Sequence, residues 1–159
     1  MKEAGIGIVF RSDKQEVLLI KRRDLPVWVL PGGGIEDQES AEKACEREVF
    51  EETGLVVRVV RKVGYTPPLN RLIAGAHLFE CTALEDPYQT LLPQKESKEV
   101  GFYPINNLPA PLFFLHKSWI EETHTSCALS PVTYGACLQF LLRHPLLSLR
   151  FLIGLSRNH

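Results

Sequence analysis

The stretch of sequence that most constrains the fold runs from residue 30 to residue 55 and reads LPGGGIEDQESAEKACEREVFEETGL. Three consecutive glycines permit a tight turn, and a run of strong helix formers follows them. Ser40 is a suitable N-terminal cap for this helix, and Gly54 stands where a left-handed residue commonly closes one. The sequence therefore predicts a glycine turn joined to a helix between Ser40 and Gly54.

Three glutamates fall on one face of this helix, because Glu48, Glu51 and Glu52 are spaced i, i+3 and i+4. Carboxylates about 5 Å apart repel by roughly 3 kcal/mol per pair at an effective dielectric constant of about 20. Arg47, four residues before Glu51, offsets only part of this repulsion. Mg²⁺ or Mn²⁺ offsets more of it, since both ions prefer oxygen ligands. We therefore expect a divalent cation bound by the three glutamates, with the carbonyl of Gly33 as a further ligand.

A solvated acidic face is the commoner meaning of glutamates at helical spacing, but the wider pattern argues against it. Seven positions are fixed at set intervals, and at about 6 % usage each they coincide by chance about once in 10⁸ to 10⁹ starting points. They are Gly33, Glu39, Arg47, Glu48, Glu51, Glu52 and Gly54. Together with the apolar residues Val49 and Leu55, this pattern resembles the signature of the Nudix hydrolase family at every fixed position.

The resemblance implies both a fold and an activity. The fold class is α/β (α+β), a Nudix-type α/β/α sandwich with a mixed central sheet, which we expect to span residues 1–145. The activity is metal-dependent hydrolysis of the diphosphate bridge in a nucleoside diphosphate linked to another group. In the family pattern Arg47 orients Glu51, Glu39 supports the glycine turn, and Glu48 is one candidate for the base that takes a proton from the attacking water.

A second candidate base lies just before the last predicted core strand. The run Glu96-x-x-Glu99-Val100-x-Phe102-Tyr103 is similar to what family members show where a loop acid reaches the metals from the side opposite the helix. The resemblance implies that Glu96 or Glu99 takes this catalytic role, and that Glu96, which is slightly favoured, also binds metal. The alternative is that both are solvated loop acids.

Candidate substrate-binding residues lie on both sides of residue 30. Arg22 and Arg23 end a predicted strand shortly before the glycine turn, so they either contact a phosphate or a base or form a solvated strand end. Trp28 is either a platform for stacking a base or, as is more common for tryptophan, part of the core. Gly33 and Gly34 bring bare backbone close to the acids.

The remaining elements follow from runs of apolar and β-branched residues. The predicted strands cover residues 4–10, 16–23, 28–30, 55–63, 71–83 and 100–103. Two later helices are predicted at residues 112–123 and at about 130–143. Because a short polar turn joins the first two strands, we expect them to pair as a hairpin. Residues 146–159 are expected to form an apolar extension packed on the domain or on a second subunit, which makes a homodimer compatible with the sequence.

Charge and cysteine content exclude several classes of protein. The formal net charge of −1 provides no field that would gather a nucleic-acid polymer, so the expected partner is a small nucleotide. Four cysteines without a CxxC pair indicate reduced thiols rather than a disulfide framework. The sequence shows no signal peptide and no apolar run of about 18 residues, so we expect a cytoplasmic protein without a membrane span.

The motif defines the bond that is cleaved but leaves the substrate open. A (deoxy)nucleoside triphosphate, cleaved to monophosphate and pyrophosphate, is slightly favoured because the chain is compact and its first predicted strand starts at residue 4. ADP-ribose or another nucleotide sugar fits the PGGG turn equally well, although such relatives often carry an N-terminal extension. Dinucleoside polyphosphates fit least, since such relatives often have Lys and His in the glycine turn. A Nudix-like module that binds a nucleotide without cleaving it is the alternative outside enzymes.

Overall fold

The computed structural model describes residues 2–11, 13–68, 74–84, 91–93, 97–125, 139 and 142–145. This part of the chain forms seven strands, two α-helices and a short 3-10 turn at Ile105–Asn107. The strands are β1 (Ala4–Val9), β2 (Glu16–Arg22), β3 (Trp28–Val29), β4 (Gly32–Gly34), β5 (Val57–Thr66), β6 (Ala76–Ala83) and β7 (Ser97–Pro104). The helices are α1 (Ala41–Thr53) and α2 (Phe114–His124).

The strands form two sheets, and each of the two helices packs its apolar residues against strand residues in the core. The mixed sheet has the order β4-β1-β6-β5, with β1 antiparallel to β4 and parallel to β6. The second sheet is antiparallel, in the order β3-β2-β7. Val49 of α1 packs with Val9 in one core cluster, and Ile120 of α2 packs with Ile8 in another. The predicted α/β class with a mixed sheet is confirmed.

The predicted hairpin of β1 and β2 is wrong. The two strands touch through a bridge between Phe10 and Val17 and a 3.0 Å hydrogen bond from Arg11 N to Glu16 O, and they then enter different sheets. Both strands are buried along almost their whole length, and each has a hydrogen-bonded neighbour on either edge. A short polar turn is compatible with a hairpin and with a crossing between sheets, so the local sequence does not distinguish them.

The later elements are found close to the predicted ranges. Helix α2 starts at Phe114 rather than at residue 112, because the preceding segment pairs with Trp28: Trp28 N donates to Pro111 O at 2.8 Å, and Phe113 N donates to Trp28 O at 2.9 Å. Most of the predicted helix at 130–143 and the whole extension at 146–159 lie outside the described residues. None of the described helices has the length and hydropathy that a bilayer span requires.

Helix α1 lies against β1 at a distance that only glycine permits. A Cβ atom on Gly5 would stand 2.5 Å from Ala41 O and 2.8 Å from Cys45 N, both of them backbone atoms of α1. A Cβ atom on Gly7 would instead meet a side-chain methyl of Val49 at 2.7 Å. Cys45, which lies at this contact, is a buried free thiol, in agreement with the prediction of reduced cysteines. The two glycines therefore set how closely the helix approaches the mixed sheet.

The difference between these two glycines is testable. Gly5→Ala should lower the free energy of unfolding by about 3 kcal/mol, because rigid backbone must move, and Gly7→Ala by only about 1 to 2 kcal/mol, because a side chain can shift. Urea unfolding followed by circular dichroism measures both values. Equal destabilisation by the two variants would contradict this account of the contact.

Candidate active site

The acidic helix begins and ends as its sequence predicts. Ser40 has extended backbone, and its Oγ accepts a hydrogen bond from Lys43 N at 3.2 Å. Gly54 has a left-handed φ of 75°, and its N–H donates to Phe50 O at 2.8 Å. Both ends of the helix are thus satisfied by local bonds. Fixed ends give the glutamates in the last turns a defined direction.

Arg47 connects the helix to the glycine turn. Its guanidinium donates from Nε and Nη2 to the two carboxylate oxygens of Glu39, at 2.9 Å each, and from Nη2 to Gly34 O at 3.0 Å. Its Nη1 also donates to Glu48 at 2.7 Å and to Glu51 at 3.3 Å. The hydrogen bonds from Arg47 hold the pKa of Glu39 below its usual value, and those to Glu39 raise the pKa of Arg47. The main partner of Arg47 is therefore Glu39, and its bond to Glu51 is the longest of the set.

Glu52 is held by the backbone of the turn and by a second strand. It is 9 % exposed, and its Oε2 accepts a hydrogen bond from Gly32 N at 2.8 Å. Its backbone carbonyl accepts a second bond from Ser97 Oγ, at 2.9 Å, at the first residue of β7. Gly32 has a φ of 154°, and a Cβ atom there would stand 2.5 Å from Gly5 O. Only a residue without a side chain fits this position, and its amide then points at the carboxylate.

Gly33 leaves the space into which the Glu48 carboxylate projects. A Cβ atom on Gly33 would stand 2.5 Å from both carboxylate oxygens of Glu48. At Gly34, by contrast, a Cβ atom would meet nothing within 4 Å. The middle glycine is therefore the one whose bare backbone lies directly against an acid of the helix.

The donor atoms around the turn suit a hard divalent cation. Glu48, Glu51, Glu52 and the Gly33 carbonyl offer oxygen only, which is what Mg²⁺ and Mn²⁺ prefer. Because Gly33 has no side chain, the Glu48 carboxylate lies directly against its backbone, and these residues fit such an ion. As the described side chains stand, no three acidic, histidine or cysteine groups among them converge on one point. Two of the glutamates face Arg47 instead, and Glu51 is 56 % exposed.

The structure brings the predicted cations close to the predicted acids. A cavity of about 290 Å³ is lined by Arg22, Arg23, Asp24 and Glu52. Arg22 binds Asp24 through two hydrogen bonds, of 2.9 and 2.7 Å. This pairing holds the pKa of Asp24 below its usual value. Sequence reasoning missed Asp24, although its place two residues after Arg22 in a short loop is a usable signal. Two arginines and two carboxylates, of which Glu52 is nearly buried, thus border one space.

Three other candidates are placed elsewhere or not described. Trp28 is 4 % exposed and packs edge-on against Tyr103 with ring centroids 4.7 Å apart, so it belongs to the core, the commoner of its two interpretations. Glu99 is paired with the neighbouring strand, since its carboxylate accepts a hydrogen bond from Lys21 Nζ of β2 at 2.8 Å. Glu96 lies outside the described residues. The residue that follows it, Ser97, contacts Glu52 as described above.

Comparison with known proteins identifies the family. The model of the NUDIX domain matches residues 1–123. An ADP-ribose pyrophosphatase from Methanocaldococcus jannaschii is 34 % identical over 119 residues, which cover 73 % of this chain and 69 % of that protein. A Bacillus subtilis protein provisionally named an 8-oxo-dGTP diphosphatase is 42 % identical over 64 residues, 40 % of this chain, and the match spans only 43 % of that relative.

A solved structure agrees with these matches. The crystal structure of an ADP-ribose pyrophosphatase from Streptococcus suis superimposes with a TM-score of 0.62 at 29 % identity, covering 76 % of this chain and 84 % of the other. The mixed sheet, the glycine turn and the acidic helix define the same class of protein as the family model. This chain belongs to the Nudix family.

The space that Gly33 leaves for Glu48 can be tested, with the adjacent Gly34 as a control position. Gly33→Ala should displace the Glu48 carboxylate and weaken Mn²⁺ binding by about tenfold or more, while Gly34→Ala, which has open space, should change it by about twofold at most. Isothermal titration calorimetry measures the affinities, and circular dichroism checks that both variants are folded. Unchanged Mn²⁺ affinity in folded Gly33→Ala would contradict the proposed role of this glycine.

Proposed function

We propose that this protein is a metal-dependent hydrolase that cleaves the diphosphate bridge of a nucleoside diphosphate linked to another group. The observation that carries the proposal is the placement of Glu48 and Glu52 against the glycine turn, with Arg22 and Arg23 lining the same cavity as Glu52. Carboxylates bind the cation, and arginines attract the phosphates. The family membership supports the same chemistry.

The residues of the chain divide the work between binding and proton transfer. Glu48, Glu51, Glu52 and the Gly33 carbonyl would hold the cation, which when bound screens the charge of the bridge and makes the attacking water more acidic. Arg22 and Arg23 would bind phosphate oxygens from the other side of the cavity. Arg47 keeps Glu39 and the glycine turn in place. A carboxylate that is not committed to the cation would accept the proton of the attacking water.

For the loop acid we assign the catalytic role to Glu96 rather than to Glu99. One carboxylate oxygen of Glu99 is paired with Lys21 Nζ at 2.8 Å, which favours a role in an ion pair between strands. Glu96 directly precedes Ser97, whose hydroxyl binds the carbonyl of Glu52. Glu96 is also the loop acid that the family resemblance slightly favours. Glu48 remains the alternative base, in which case Glu51, Glu52 and the Gly33 carbonyl would hold the cation.

ADP-ribose is the first candidate substrate. The archaeal relative of that name aligns over more than two thirds of both chains, and the Streptococcus suis structure of that name also covers most of both. These two matches outweigh the slight preference for nucleoside triphosphates that the sequence suggests. A nucleoside triphosphate is the second candidate, which the shorter match to the Bacillus subtilis relative favours. A binding module without hydrolysis is opposed by the presence of every acid in the motif.

A substrate panel tests the proposal directly. We expect Mg²⁺-dependent release of AMP and ribose phosphate from ADP-ribose, loss of activity in EDTA, and a loss of about 10²-fold or more in kcat in Glu52→Gln. The panel also contains UDP-glucose, dGTP, 8-oxo-dGTP, a dinucleoside polyphosphate and a 5′-triphosphorylated RNA, and chromatography identifies the products. Nucleotide binding without hydrolysis of any compound would favour the binding module, and full activity of folded Glu52→Gln would refute the mechanism.

The assignment of the loop acid is tested by two variants that lie three residues apart. Glu96→Gln should lower kcat by about 10² to 10⁴-fold, as loss of a general base does, and Glu99→Gln should lower it by less than about tenfold. Rates of hydrolysis are measured against pH with saturating Mg²⁺ for both variants and for Glu48→Gln. The reverse order of effects for Glu96 and Glu99 would transfer the role to Glu99.

A further inference from the structure

His116 is a buried polar side chain to which the proposed chemistry gives no role. It lies in the first turn of α2 and is 8 % exposed, with its ring stacked on Trp119 at 4.8 Å and edge-on to Phe113 at 5.3 Å. Its Nδ1 accepts a hydrogen bond from Leu30 N at 2.7 Å. Burial, with a smaller effect of the Arg22 charge, lowers the pKa of His116 to about 3. The ring is therefore neutral near pH 7, and its proton lies on Nε2.

Leu30 lies where the chain passes from β3 in one sheet to β4 in the other. Its side chain is 2 % exposed, and its amide is the last donor before the turn because Pro31 has no N–H. On the far side of the crossing, Gly7 N donates to Pro31 O at 3.0 Å, which ties the segment to β1. The hydrogen bond from Leu30 N to His116 thus ties this segment to α2.

Two residues after Leu30, the amide of Gly32 donates to Glu52 at 2.8 Å. The path between the two hydrogen bonds contains planar peptide units and a proline with a fixed φ, so few torsions can change independently. The direction of the Gly32 N–H is therefore set by two hydrogen bonds, the one from Gly7 N to the Pro31 carbonyl of the same peptide unit and the one from the Leu30 amide to His116. Burying an amide without a hydrogen-bond acceptor costs free energy. Loss of the His116 acceptor would therefore make the Leu30 peptide rotate so that its N–H meets a different acceptor.

We propose that His116 is a positioning residue that fixes the Leu30 peptide and thereby directs the Gly32 amide at the Glu52 carboxylate. The proposal rests on the proposed function in so far as Glu52 is a metal ligand there. It assigns to α2, on the other side of the sheets from α1, a part in preparing the acidic site. His116 itself touches neither substrate nor cation in this account.

Three variants separate the acceptor atom from the bulk of the ring. His116→Asn places Oδ1 where Nδ1 stands, and His116→Phe keeps a ring without an acceptor. The control His124→Phe introduces the same ring at the exposed other end of α2. The measurements are the hydrogen exchange rate of the Gly32 amide by NMR and the affinity for Mn²⁺ by calorimetry. Neither measurement requires substrate or turnover.

In His116→Phe the Gly32 amide should exchange about tenfold faster or more, and Mn²⁺ should bind about 10 to 100-fold more weakly. His116→Asn and His124→Phe should stay within about threefold of wild type in both measurements. A merely structural histidine would lower the melting temperature of His116→Phe and leave both values unchanged, which would overturn the proposal. Equal losses in His116→Asn and His116→Phe would also overturn it.

A fourth variant, His116→Gln, covers the case in which His116→Phe does not fold. His116→Gln keeps a polar side chain but places its acceptor one methylene further out, so it should show the same two losses, and wild-type values in it would overturn the proposal. Failure of the proposed function is a separate result. A wild-type protein that hydrolyses none of the substrate panel, yet shows the expected exchange and Mn²⁺ pattern in the variants, retains the positioning role of His116 and loses the enzymatic assignment.

Discussion

Helix α1 lies so close to β1 that no side chain fits between them at Gly5, and the geometry of the site depends on this contact. Because β4 pairs with β1, the same approach sets the distance between the helix acids and the glycine turn. The Gly32 amide reaches Glu52 at 2.8 Å, and the Glu48 carboxylate lies against Gly33. If a methyl group at Gly5 pushed α1 away from β1, Glu52 would move away from the Gly32 amide and Glu48 would move away from Gly33. The packing of the helix on β1 therefore also determines where the acids lie.

The charges of the site are balanced only in part. One guanidinium, that of Arg47, contacts three carboxylates, and the nearly buried Glu52 has a neutral amide as its partner at the turn. Three carboxylates thus share a single guanidinium, and acids gathered in this way suit a divalent cation. Arg22 and Arg23 line the same cavity as Glu52.

Local patterns predicted the acidic helix well and the strand partners poorly. The cap at Ser40 and the left-handed Gly54 depend on bonds within four residues, and both are found as predicted. The hairpin of β1 and β2 was wrong because strand pairing depends on which edges the rest of the sheet leaves open. Glu99 was a candidate from motif spacing, but its register opposite Lys21 in β2 pairs it with a cation. That register depends on two strands 78 residues apart in the sequence, and nothing near Glu99 specifies it.

The sequence alone determined the family, the spacing of the helix glutamates and the need for glycine in the turn, because each of these follows from the continuous stretch between residues 30 and 55. Only the tertiary structure decided which partners hold those residues. Glu52 binds an amide 20 residues away, and Leu30 binds a histidine 86 residues away. Hydrogen bonds over such separations form after the sheets and helices have packed, and packing depends on the shape of the whole core rather than on any local pattern.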